Sequence, residues 1–214
     1  MQTTIGHFAQ HKTLLPLLEI YRADDIIPII NALLAANIHA LEITLRTPAA
    51  FEAIGLARQK FPTYGIIAGT VTTAKQLQQV QAYNVDFAVC PGITPSLLDA
   101  SRKHHIELLP GIATASEVLL GVEHSLQYFK FFPAEAMGGV NTLQAFAGPF
   151  QQVHFLATGG INQCNMESYL ALDNCFAVGG SWIINQHDIN NKNWHAITTK
   201  AQQAMQTILL HNNQ

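Results

Sequence analysis

The stretch "ALEITLRTPAAFEAIGLARQKFPTYGIIAGT", Ala40 to Thr70, carries in one run the pattern on which the fold turns. In an extended chain the side chains of "ALEITLR" alternate, so Glu42, Thr44 and Arg46 share one face and Leu41, Ile43 and Leu45 the other. Thr47 and Pro48 then form a helix-start signal ahead of "AAFEAIGLARQKF", whose apolar residues recur at helical spacing. A second β-rich run, "YGIIAGT", follows at once. Strand, helix and strand without a linker predict a βα unit of a parallel sheet.

Working outward, the same order recurs along the chain. The runs "LLPLLEI", "ALEITL", "YGIIAGT", "FAVCPG", "IELLPGI", "YFKFFP", "VHFLATGG" and "CFAVGGSW" are each followed by a segment of helical periodicity. Asp24 and Asp25 open the first helix and Thr114 precedes "ASEVLLGVEHS". Pro28 falls about a turn inside the first helix, where its missing amide hydrogen costs least. "TIGHFAQHK" is expected to form a short N-terminal helix across the barrel bottom, and "NWHAITTKAQQAMQTILLHN" a long closing helix. Eight strand–helix units over residues 1–214 predict a single α/β domain, a minimal (β/α)8 TIM barrel. A doubly wound open sheet is the competitor, but its usual glycine-rich first turn is missing from "EIYRADD". In a barrel, chemistry belongs where strands end and loops begin.

Composition narrows the function classes. The chain is 49% hydrophobic and 12% charged, with a net charge of −3 and scattered lysines, so it offers no basic stripe for nucleic acid. No window reaches the roughly 18 apolar residues of a membrane span, and "MQTTIGHFAQHK" lacks the order of a signal peptide, so no membrane partner and a cytoplasmic location are expected. Cys90, Cys164 and Cys175 have no C-x-x-C spacing and read as reduced thiols. His104 and His105 read as a solvated helix end, and no metal is expected.

The parity rule applied to "YFKFF" sends Tyr128, Lys130 and Phe132 into the barrel and Phe129 and Phe131 against the helices. Lys130 is therefore a lumen lysine among aromatic rings. Desolvation penalises an ammonium there, and a neutral amine can condense with a ketone to an iminium that serves as an electron sink. Glu42 in the same lumen is the candidate proton shuttle, and Arg46 can hold a carboxylate by a bidentate pair. Thr70 and Thr158 fall on the rim at strand ends. The alternative is a buried structural ion pair between Lys130 and Glu42. "ATGG" and "VGGS" end adjacent strands, so Gly159, Gly160, Gly179, Gly180 and Ser181 can turn free amides toward a phosphate. The other six lysines, Lys12, Lys60, Lys75, Lys103, Lys192 and Lys200, are expected in water on helices or chain ends.

Seven segments together carry a family resemblance: "ALEITLRT", "AGTVTT", "CPG", "FKFFPAEAMGG", "LQAFAGPF", "ATGGI" and "VGGSW". From about Leu14 to Trp182 the chain resembles the 2-keto-3-deoxy-6-phosphogluconate aldolases. The resemblance implies a class I aldolase of the Entner-Doudoroff pathway, without metal or cofactor, acting on a small keto-acid phosphate and assembled as a homotrimer. It implies Lys130 as the Schiff-base lysine and Glu42 as general acid and base. Arg46 and Thr70 would hold the pyruvate carboxylate, Pro91, Phe132 and Thr158 would line the site, and Gly159, Gly160, Gly180 and Ser181 would take the phosphate.

Some positions depart from the family's pattern. Cys90 replaces a common serine, Ala157 a common proline, and "AANIHA" a Gly-Gly turn. Glu19 stands near the end of the first strand where many relatives carry arginine, and a lumen-facing carboxylate there would disfavour phosphate. Cys90 reads as a small buried hydrophobe and Trp182 as packing. Relatives acting on the galactonate epimer or on 4-hydroxy-2-oxoglutarate remain open alternatives. So does a phosphate-binding barrel isomerase or sugar-phosphate binding protein, which would share the glycine loops but not need the lysine.

Overall fold

The structure is a computed structural model and describes residues 4–212. Eight strands run parallel around one axis: β1 Thr13–Leu18, β2 Ala40–Thr44, β3 Gly65–Gly69, β4 Phe87–Val89, a split β5, β6 Tyr128–Phe131, β7 His154–Thr158 and β8 Cys175–Gly180. β5 consists of Leu108–Leu109 and Gly111–Ile112, separated by Pro110, which has no amide hydrogen to give the ladder. Its first half pairs with β4 and its second half with β6. With β1 pairing both β2 and β8, the circle is complete, as the βα repeat predicts.

Each strand is followed by its helix, and of the three start signals read from sequence only Thr114 caps as expected: Ala50–Lys60 begins after Ala49 with no side-chain cap, and the Thr47 hydroxyl donates instead to the Ile20 carbonyl. Thr114 caps Ala115–Glu123, its hydroxyl accepting from the Glu117 amide while Glu117 accepts from the Thr114 amide. Thr73 does the same for Ala74–Gln81. The Asp24–Asp25 start differs in detail. Ala23–Asp25 forms a 3-10 turn, and Ile26–Leu34 begins with no side-chain cap. Pro28 sits in that helix's first turn, where intrahelical amides lack partners anyway. Trp194–Asn212 is the long closing helix.

The strands separate two apolar layers as their alternation requires. Leu41, Ile43, Phe129, Phe131 and Phe155 belong to the layer between strands and helices. Leu15, Ile67, Phe87, Val89, Leu109 and Leu156 fill the lower lumen. Thr4–Phe8 closes the bottom, with Ile5 buried in the lumen cluster and the Phe8 ring 5.7 Å from Phe87. Glu107 holds this helix start by accepting from the amides of Thr4 and Ile5, at 2.8 Å each. Below this plug is packed hydrocarbon; above the filled layer stand the polar residues.

Candidate active site

Lys130 and Glu42 meet above that layer. Both lie inside their strands, and both are buried, with 6% and 0% of their side chains exposed. Lys130 Nζ is 3.4 Å from Glu42 Oε1 and 5.2 Å from the centre of the Phe132 ring. Glu42 Oε2 has no hydrogen-bond partner among the described residues, and neither does the buried hydroxyl of Thr158. A buried ion pair that served only structure would be costly with one of its own carboxylate oxygens left unsatisfied. The arrangement leaves a buried acceptor and a buried donor without partners among the described residues.

Backbone packing explains why Glu42 fits. Gly69, paired in register with Thr44, faces the lumen, and a β-carbon on it would stand 2.2 Å from Glu42 Oε1. Glycine at that position is clearance for the carboxylate. Thr70, the next residue, has φ of 57°, a left-handed conformation that a β-branched residue rarely adopts. Gly179 likewise admits the Thr158 methyl, since a β-carbon would approach it to 2.7 Å. Sequence reasoning assigned no role to Gly69; the signal available was a glycine beside Thr70 on a strand whose alternate residues face the lumen.

The remaining candidates stand at neighbouring strand exits. Pro91 follows β4, and its carbonyl lies so close to Gly111 that a β-carbon there would come within 2.4 Å. Phe132 and Pro133 follow β6 and are joined by a cis peptide bond. Gly159 and Gly160, at φ 98° and 84°, follow β7 in a left-handed turn that glycine adopts freely. Gly180 ends β8, and Ser181 is exposed beyond it. Arg46 reaches over the rim, half exposed, into a crevice of about 340 Å³ that it shares with Thr44, Glu19, Tyr21 and Ser181. The structure thus gathers every sequence-predicted site residue on one end of the barrel. Roomier crevices of about 500 and 570 Å³ lie elsewhere on the surface, so volume alone does not point at this chemistry.

Glu19 is at the rim of this crevice. Its Oε2 lies 3.5 Å from Arg46 Nη1, and the Tyr21 hydroxyl donates to its Oε1. Cys90 is inert by environment: it is fully buried, its thiol donates to the Gly92 carbonyl at 2.8 Å, and burial pushes its pKa up to about 11. Lys12 corrects the expectation that every lysine but one sits in water. It is half-buried at the barrel bottom, donating to the carbonyls of Leu172 and Cys175 at 2.5 and 2.7 Å, and burial lowers its pKa from the ordinary lysine value.

Comparison with known proteins fits this arrangement. Residues 5–200 match the model of the KDPG and KHG aldolase family. A 2-dehydro-3-deoxy-phosphogluconate aldolase of Dickeya dadantii is 44% identical over 190 residues, 89% of each chain. The crystal structure of a KDPG aldolase from Legionella pneumophila, with pyruvate captured at low pH as a covalent carbinolamine intermediate, superposes with a TM-score of 0.90 at 44% identity, covering 94% of this chain and 97% of that one. That of the 2-keto-3-deoxy-6-phosphogluconate aldolase of Zymomonas mobilis ZM4 with 3-phosphoglycerate gives 0.87 at 38% identity, covering 95% and 96%. With its family model spanning nearly the whole barrel and its lysine and glutamate facing each other inside it, the chain belongs to the KDPG and KHG aldolase family.

Proposed function

We propose that this chain is a class I aldolase cleaving 2-dehydro-3-deoxy-6-phosphogluconate into pyruvate and glyceraldehyde 3-phosphate. The observation that carries the reading is the buried pair Lys130–Glu42 at 3.4 Å, with an unpartnered carboxylate oxygen beside it. The Legionella relative, crystallised with pyruvate as a carbinolamine, supports an amine-to-ketone step.

Lys130 Nζ adds to the C2 ketone, and the carbinolamine loses water to give an iminium. Glu42 accepts the proton of the C4 hydroxyl; the C3–C4 bond breaks, its electron pair moves into the iminium, and the aldehyde leaves. Glu42 returns the proton to C3 of the enamine. Water then hydrolyses the iminium, releasing pyruvate and the free amine. The iminium takes up the electron pair of the broken C3–C4 bond, so neither metal nor cofactor is required. Arg46 and Thr70 hold the carboxylate, Pro91, Phe132 and Thr158 enclose the reacting carbons, and the amides of Gly159, Gly160 and Gly180 with the Ser181 hydroxyl receive the phosphate.

One observation favours a second substrate of the same chemistry. The Glu19 carboxylate shares its crevice with Arg46 and Ser181, which tempers the attraction for a phosphate and favours the unphosphorylated 4-hydroxy-2-oxoglutarate. Comparing kcat/KM on the phosphogluconate-derived acid, its galactonate epimer and 4-hydroxy-2-oxoglutarate decides the order. Preference for the first supports the main reading, and cleavage of none sinks both. The assembly is a homotrimer in the cytoplasm on this reading. Leu119 and Val122, exposed on one face of Ala115–Glu123, offer apolar surface for such contacts, and light scattering of the purified protein tests it.

A further inference from the structure

The Gly159–Gly160 loop has a carboxylate for a neighbour. Glu135 lies on the loop after β6, and its amide donates to the Gly159 carbonyl at 3.0 Å while the Ala134 amide donates to Thr158 at 2.8 Å. Its stem runs against Gly160 so closely that a β-carbon there would meet Glu135 Cγ at 2.6 Å. The residue itself is exposed. An exposed carboxylate tethered beside this glycine turn is a competitor for any phosphate that the turn receives.

Tyr169 bears on that competition. It belongs to the short helix Met166–Leu170, its side chain is fully buried, and its hydroxyl donates to Glu135 Oε1. Burial, followed by this hydrogen bond, raises the Tyr169 pKa, which keeps the hydroxyl a donor at any working pH. The carboxylate is thereby held over Gly139, where a β-carbon would stand 3.1 Å from Glu135 Oε1 and 3.0 Å from the Tyr169 hydroxyl.

We propose that Tyr169 is a positioning residue that restrains Glu135, keeping its carboxylate off the Gly159 and Gly160 amides and so leaving them open to the substrate's phosphate. The inference rests on the phosphate reading of those glycines. Released from Tyr169, the carboxylate is an intramolecular anion at high effective concentration, and it competes with phosphate without touching the lysine chemistry.

The test uses three variants and two substrates. Tyr169→Phe is expected to raise KM for the phosphorylated keto acid by about tenfold, with kcat and the KM for 4-hydroxy-2-oxoglutarate unchanged. Adding Glu135→Gln to Tyr169→Phe removes the competing charge and is expected to return KM to within about twofold of the parent. If the hydrogen bond merely braces the loop, the double variant stays as impaired as the single one, and the proposal is overturned. An unchanged KM in Tyr169→Phe overturns it as well. Ser181→Asp distinguishes the two levels. If it raises KM for the phosphorylated substrate while Tyr169→Phe does not, the phosphate reading stands and the restraint falls; if Ser181→Asp has no selective effect, both fall.

Discussion

Gly69 stands where any β-carbon would come within 2.2 Å of Glu42 Oε1, on the strand next to the one that carries Glu42. The Glu42 carboxylate therefore owes its position to a missing side chain. Gly69→Ala is compatible with a strand backbone, so the fold is expected to persist while the carboxylate shifts away from Lys130. Displacement of about an ångström costs roughly a hundredfold in turnover. Measured kcat at the parent level would show that Glu42 needs no such clearance.

Replacing the two charged residues separates nucleophile from shuttle. Glu42→Gln keeps shape and removes the titrating group, and turnover is expected to fall about a hundredfold to ten-thousandfold. A slow Schiff base should still form, with water as a poor proton carrier. Lys130→Met should abolish it. Exchange of solvent deuterium into the pyruvate methyl group follows the same steps and should slow in parallel with cleavage. A Glu42→Gln protein that cleaves and exchanges at nearly the parent rate would reduce Glu42 to a counter-ion.

The three thiols should react unequally. Burial pushes Cys90 up to about 11 and Cys175 up to about 12, whereas Cys164 is exposed. At pH 8 iodoacetamide is expected to modify Cys164 in the folded protein and to spare the other two, because neither buried thiol has an accessible thiolate. Since both folded pKa values lie above the ordinary one, protection extends up to about those values and is lost as pH rises through them. Mass mapping that finds Cys90 modified at pH 8 would contradict its burial between strand and helix.

Phe129 tests the outer layer rather than the site. It is fully buried with its ring 6.4 Å from Phe155, and Gly121 makes room for it, since a β-carbon there would lie 2.2 Å from Phe129 Cε1. Phe129→Ala is expected to cost about 3–5 kcal/mol in denaturant unfolding. A loss below about 1 kcal/mol would mean that the neighbouring helix closes over the gap.

The features legible in the sequence were those with a short period. Alternation by two sent Lys130 and Glu42 inward and Phe129 outward, and the recurrence of strand and helix defined the barrel and hence the end on which Arg46, Thr158 and Ser181 gather. What escaped depends on contacts between distant segments. The division of the fifth strand at Pro110 reflects which neighbour each half pairs with, and the irregularity between Phe155 and Leu156 sets Phe176 and Ala177 both toward the lower lumen. No local pattern announces either. The same holds for Gly69 beneath Glu42, for Glu19 against Arg46, and for Lys12, whose partners Leu172 and Cys175 are far away in the chain.

The central claim, that Lys130 forms a Schiff base, is tested most directly by incubating the protein with pyruvate and borohydride and mapping the modified peptide by mass. Reduction of the adduct onto Lys130 and no other lysine is expected. Lys12 is the informative bystander: its amine shares the feature of burial but is engaged by two carbonyls on the opposite end of the barrel. Labelling of Lys12 or of any surface lysine in place of Lys130, or no label at all, would show that Lys130 is not the nucleophile.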